Sequence, residues 1–173
     1  MVASGWSYFV PYQPDRYAAF VTLRQQVFDH GDFWWAKPGE TGRTAAEYPD
    51  RPRTEDELWA DETVREAGTH SILDMYRVLA DDEQPNYGYL PYPFDTFEEY
   101  MRLVKEHGNP DYGVIVPVGE AEAYRTAGDT RLTRDHVDRI AGLAQYRGIG
   151  RLAVLHDPNG RPTELYFWGF SGD

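Results

Sequence analysis

Residues 151–170, RLAVLHDPNGRPTELYFWGF, carry the clearest local signal in the chain. RLAVLH and PTELYFWGF are rich in aliphatic and aromatic side chains and flank Asp157-Pro158-Asn159-Gly160. Each residue of that tetrapeptide stands where a type I turn favours it, so the stretch predicts a C-terminal β-hairpin. The sheet around this hairpin has to come from upstream. Trp6 to Val10 is a short aromatic and β-branched run closed by Pro11, which removes a backbone donor and ends a strand. Tyr112 to Val118 is a second candidate, with Pro117 suited to an edge or a strand end. Ser71 to Leu79 (SILDMYRVL) mixes Ile, Leu, Met, Tyr and Val with spaced polar residues, which predicts a central strand covered on both faces.

Helices fill the intervals. Asp15 is a plausible N-cap, and Tyr17, Phe20, Val21, Leu23, Val27 and Phe28 recur at close to helical period until Gly31 offers a left-handed stop, giving a helix over 15–30. Thr54 with Glu57 forms a capping box for a helix running to Gly68. Asp95 with Glu98 forms another, for a helix ending at Gly108 with Phe97, Tyr100, Met101 and Val104 as its buried stripe. Residues 120–127 predict one or two helical turns, and Thr133 opens a last helix ending near Gly148. Residues 36–53, AKPGETGRTAAEYPDRPR, have no periodicity and predict a long irregular loop, either functional or mobile. The expected fold is α+β: one mixed, mostly antiparallel sheet with helices mainly on one face, in a single domain over 1–173.

A chain of 173 residues can bury a full core without staples. It has no cysteine, which removes disulfides, thiolate nucleophiles and Cys-ligated zinc and points to a reducing compartment. MVASGWSYFVPYQPDR has no basic start and no apolar run of signal-peptide length, and nowhere does an apolar run approach the roughly 18 residues of a membrane span. A cytoplasmic protein without membrane contact is the expectation. The net charge of −12 argues against binding nucleic acid through its phosphates and favours encounter with basic partners. Between residues 67 and 100 seven carboxylates face Arg77 alone, so half of the charge sits in a fifth of the chain.

No GxxxxGK, GxGxxG, HExxH, GxSxG or EF-hand spacing is present, so familiar nucleotide, dinucleotide, zinc-protease and serine-hydrolase signatures are missing, and neither a cofactor nor a metal is implied. Gly169-Phe170-Ser171-Gly172 lacks the spacing of a nucleophile elbow. Among five histidines, His30 and His107 close helices, His136 lies in a first helical turn and His156 ends a strand, all positions with structural explanations. His70, in Gly68-Thr69-His70-Ser71, ends no helix or strand; it reads either as a hydrogen-bonded residue at a strand entrance or, in an enzyme, as the candidate general acid or base. In a strand Asp74 would stand ~13 Å from it, too far for a direct bond.

The aromatics give the other signal. Residues 86–100, NYGYLPYPFDTFEEY, hold six aromatic rings, two prolines and three carboxylates with no basic residue. Tyr87, Tyr89 and Tyr92 there suit a half-exposed contact surface, and Asp81, Asp82, Glu83, Glu98 and Glu99 would steer a cationic partner toward them by charge and cation-π attraction. Phe33, Trp34, Trp35 and Tyr48, at the ends of the 36–53 loop, are candidate pocket aromatics.

GWSYFVPY, GTHSILDM and ELYFWGFSGD resemble a pattern shared by a group of small, acidic, uncharacterised bacterial proteins. The resemblance spans most of the chain but carries no activity and transfers no site residue. The leading expectation is a non-enzymatic acidic binding protein that captures a basic partner protein, of the immunity or antitoxin type. The alternative is a small cytosolic enzyme with His70 as general acid or base acting on an aromatic or cationic small molecule. A third reading, a small-molecule carrier or sensor, shares that pocket without a titrating group.

Overall fold

The structure, a computed structural model, describes residues 4–87, 96–108 and 111–171. In chain order the elements are β1 (Gly5–Pro11), α1 (Arg16–His30), β2 (Trp34–Trp35), β3 (Arg43–Thr44), α2 (Glu55–Ala60), α3 (Glu62–Ala67), β4 (Arg77–Val78), α4 (Phe97–His107), β5 (Val114–Pro117), α5 (Glu120–Ala127), α6 (Val137–Ile140), β6 (Ile149–His156) and β7 (Pro162–Phe170). The protein is α+β. Its five-stranded sheet runs β1-β7-β6-β5-β4, antiparallel across the first three strands and parallel across the last three.

The hairpin of β6 and β7 is the spine of that sheet. Asp157 Oδ1 accepts from the amides of Asn159 and Arg161, and the Gly160 amide donates to the Asp157 carbonyl, so one carboxylate and one carbonyl fix the reversal. Alternation along the strands separates two cores. Trp6, Leu165, Phe167, Leu152 and Ile115 face Phe20, Leu23 and Val27 of α1 together with Leu58 and Val64 of α2 and α3. On the reverse face Tyr166, Trp168, Ala153 and Leu155 meet Ala123 and Ala127 of α5 and Ile140 of α6. Trp6, Gly169 and Gly150 stand in one row across three strands. The indole lies over both glycines, where an added methyl would come within 2.7 and 2.9 Å of the ring.

Helix α1 follows its sequence signals: Asp15 accepts from the Ala18 amide, and Gly31 closes the helix at φ 66°. Several local expectations need correction. The stretch 71–79 is not a central strand. Ser71 Oγ accepts from the Leu73 amide and Asp74 from the Thr69 amide, so side chains claim the backbone donors and turn Ile72–Asp74 into a 3₁₀ turn. Only Arg77–Val78 joins the sheet, at its edge beside β5. The helix expected from Thr133 breaks into 3₁₀ turns on either side of the four-residue α6, because the His136 ring folds back to accept from the Thr133 amide and Gly142 follows. The helix expected from Thr54 divides at Asp61, which ends α2 and, through its carboxylate on the Thr63 amide, starts α3. The 36–53 loop is partly ordered, since β3 within it pairs back with β2 just before it and Ala45–Glu47 makes a 3₁₀ turn. In α4 the cap is Thr96, whose hydroxyl accepts from the Glu99 amide. Met101 of the expected stripe is exposed, while Asp95 and the side chains of Phe97, Tyr100, Val104 and His107 lie outside the described residues.

Candidate functional site

Two concave regions collect part of the described candidate residues, one beside the edge strand β1 and one beyond β4 and β5. The first is built on His70. Its backbone has φ 53°, the single positive φ outside glycine among the described residues. The buried Thr69-Asp74 network holds this turn: Asp74 Oδ1 accepts from the Thr69 amide and from Thr69 Oγ1, both at 2.7 Å, and Thr69 Oγ1 shares a 2.8 Å bond with Ser71 Oγ. Asp74 therefore turns back toward His70's own loop, which overturns the separation expected from an extended strand. Burial raises the Asp74 pKa above its ordinary value, and the bonds from Thr69 oppose that shift. Ser171 Oγ lies close enough to favour the carboxylate, yet neither it nor Asp74 Oδ2 meets hydrogen-bond geometry, and both are buried.

The half-buried His70 ring has Nε2 3.1 Å from the Ala67 carbonyl and Nδ1 3.1 Å from Ser4 Oγ. A carbonyl only accepts, so Nε2 carries a proton, and in the neutral ring Nδ1 is left to accept from the Ser4 hydroxyl. Trp34 stacks on the imidazole at 5.0 Å with an interplanar angle of 11°. Its indole also closes over Gly42, where a methyl would stand 2.1 Å from the ring. Beside His70 opens a cavity of about 470 Å³, lined also by Tyr8, Asp32, Phe33, Trp34, Arg43 and Glu47. Burial, and then the Asp32 charge, push the Tyr8 phenol well above its ordinary pKa, so it stays protonated. Arg43 lies 4.7 Å from the Tyr48 ring centre and 3.9 Å from Glu47. Trp35 and Tyr48 are core residues that meet edge to face at 4.9 Å.

The second region is a cleft of about 630 Å³ beyond the carboxyl ends of β4 and β5. Asp81, Glu83 and Tyr87 line it together with Glu120 and Glu122 of α5 and with Arg16, Arg125 and Arg151. Arg151 is buried in β6: Nε donates to the Val116 carbonyl and Nη1 to the Leu143 carbonyl, both at 3.1 Å, and Nη2 pairs with Glu122. Asp81 pairs with Arg16, and Glu83 with Arg77 at 2.8 Å. Tyr87 is half-buried with its ring 4.8 Å from Tyr146, and burial raises its pKa. Asp82 and Glu98 are exposed and Glu99 partly so, and none of the three is in the described lining of the cleft. Tyr89 and Tyr92 lie outside the described residues.

Several residues of these sites carry no sequence signal. Ser4, Tyr8 and Asp32 come to His70 only through the pairing of β1 with β7 and the turn after α1, and Glu120 and Glu122 reach the cleft because β5 is parallel to β4. Asp74 could have been read from the Thr, Ser and Asp spacing of GTHSILDM, a pattern that favours local side-chain bonds over a strand ladder. Compared with known proteins, the chain matches no family model, no curated protein and no solved structure.

Proposed function

We propose that this chain is an acidic binding protein that captures a basic partner protein, of the immunity or antitoxin kind, with the cleft beyond β4 and β5 as the docking site. The observation that carries the reading is the convergence of Asp81, Glu83 and Tyr87 with Glu120 and Glu122 around one opening. A ring beside several carboxylates suits an arginine or lysine side chain. The Arg16-Asp81 contact is exposed on its Asp81 side, where the side chain is 76% accessible, and such pairs hold little net free energy, so an incoming guanidinium can replace Arg16. The test is a titration against arginine-rich peptides and a panel of basic bacterial proteins at low and moderate salt. A partner should bind more weakly as salt rises. Asp81→Asn with Glu120→Gln should weaken it about tenfold or more, at roughly 1.4 kcal/mol per factor of ten. Affinity indifferent to salt and to both substitutions would dismiss the reading.

A second reading is favoured by the backbone of His70: a small enzyme with this imidazole as general acid or base. Residues held in sparsely populated conformations by their surroundings cluster at functional sites, and here the strained residue lines a cavity.

A further inference from the structure

Ser4, His70 and Ala67 make a relay that neither reading of the surface requires. The Ser4 hydroxyl is 3.1 Å from His70 Nδ1, and His70 Nε2 is 3.1 Å from the Ala67 carbonyl at the end of α3. That is a nucleophile, a base within hydrogen-bond reach, and a third group that fixes the tautomer of the base. The residue carrying the base is the one whose φ is left-handed, and the Thr69-Asp74 bonds immediately before it hold the ring in place. We propose that Ser4 is the nucleophile of an acyl-transfer site with His70 as its base, and that the site hydrolyses small neutral or cationic esters. This rests on His70 acting as an acid-base group.

In the forward step Ser4 Oγ attacks the ester carbonyl carbon while Nδ1 takes the hydroxyl proton. The bond from carbon to the alcohol oxygen then breaks, and the proton on Nδ1 passes to the departing alcohol. Water attacks the acyl-serine in the same manner, giving the carboxylic acid and restoring the Ser4 hydroxyl, with no net redox change. Donors for the developing oxyanion come from the sheet edge. The Ser171 amide donates to the Ser4 carbonyl and the Tyr12 amide to the Thr163 carbonyl. In an antiparallel pair this alternation turns the amides of Gly5 and Ser7 away from β7, and both residues line the cavity. Asp32 and Glu47 share that lining, and Arg43 is engaged with Tyr48 and Glu47, so an anionic acyl group is disfavoured.

The experiment treats the full chain with a fluorophosphonate probe, maps the adduct by mass spectrometry, and follows p-nitrophenyl acetate hydrolysis in parallel. The adduct is expected on Ser4. Ser4→Ala and His70→Asn should each lower labelling and hydrolysis by about a hundredfold or more. Asn is chosen because it tolerates a positive φ, with thermal melts verifying the fold, and Ser4→Ala at a half-exposed position supplies a variant that does not disturb the turn. An adduct on another serine, or none, overturns the proposal. Hydrolysis lost in His70→Asn but kept in Ser4→Ala also overturns it, while leaving His70 as a base acting on water. Hydrolysis unchanged in both variants overturns the nucleophile and the acid-base reading together. Faster cleavage of an anionic ester than of a choline ester overturns the substrate class.

Discussion

At the scale of single residues, the site is a contest between a costly backbone and a buried carboxylate that stabilises it. A left-handed φ costs an L-residue roughly 1–2 kcal/mol. His70 adopts one because Asp74 draws in the Thr69 amide and hydroxyl just before it. His70 was legible in the sequence because it lacked a helix end to explain it. Its setting was not, because reading 71–79 as a strand put Asp74 out of reach. The carboxyl also has a pH signature. Its folded pKa is raised above the ordinary value of 3.8, chiefly by burial. Across the interval between the two pKa values the folded state therefore holds more protons than the unfolded one, and this group's contribution to stability falls as pH rises. Asp74→Asn keeps an acceptor for Thr69 but cannot ionise. In paired urea melts at pH 4 and pH 7.5, the variant should gain stability relative to wild type at the higher pH, and a gap moving the other way would refute the assignment. Thr69→Val, which removes one donor to that carboxylate, should cost about 1–3 kcal/mol at neutral pH by the same method.

At the scale of elements, legibility followed whether the backbone bonds to itself or to side chains. The hairpin, β1 and α1 could be read because period 2, period 3.6 and the caps at Asp15 and Gly31 all agree with their ladders. The stretches around 71–79 and 133–148 misled because Ser71, Asp74 and His136 bond to neighbouring amides, which periodicity does not register. The Trp6 row was also invisible in the sequence, since it depends on register: only pairing β1 with β7 and β7 with β6 places two glycines beneath one indole. Gly169→Ala would put a methyl 2.7 Å from that ring and 3.0 Å from Gly150 Cα, a backbone atom, so neither side yields easily. Overpacking of this kind costs about 1–3 kcal/mol, readable from the urea midpoint. Gly142, with open space around it, is the control, and Gly142→Ala should leave stability unchanged or slightly raised. Equal effects at the two glycines would mean that the indole does not press on the sheet.

At the scale of the whole molecule, one property acts on fold and function with opposite signs. The excess of carboxylates behind the net charge of −12 was legible from composition, as was its concentration after residue 67. The cleft was not, because Glu120 and Glu122 join Asp81 and Glu83 only through the parallel pairing of β4, β5 and β6. Repulsion among like charges destabilises the compact state, and at 0.15 M salt charges more than about 8 Å apart are largely screened from one another. Internal pairs such as Arg134-Glu164 and Arg77-Glu83 are exposed and contribute little each, so screening them loses less than screening the repulsion gains. Raising sodium chloride from about 20 to 300 mM should therefore raise Tm by a few degrees, on the scale of roughly 2–4 °C per kcal/mol for a domain of this size. Over that same range, affinity for a basic partner at the cleft should fall. A calorimetric melt and a binding titration at matched salt concentrations separate the two effects. A Tm that drops with salt would mean that the attractive pairs outweigh the net repulsion, and an affinity that does not fall with salt would remove the electrostatic basis for capturing a cationic partner.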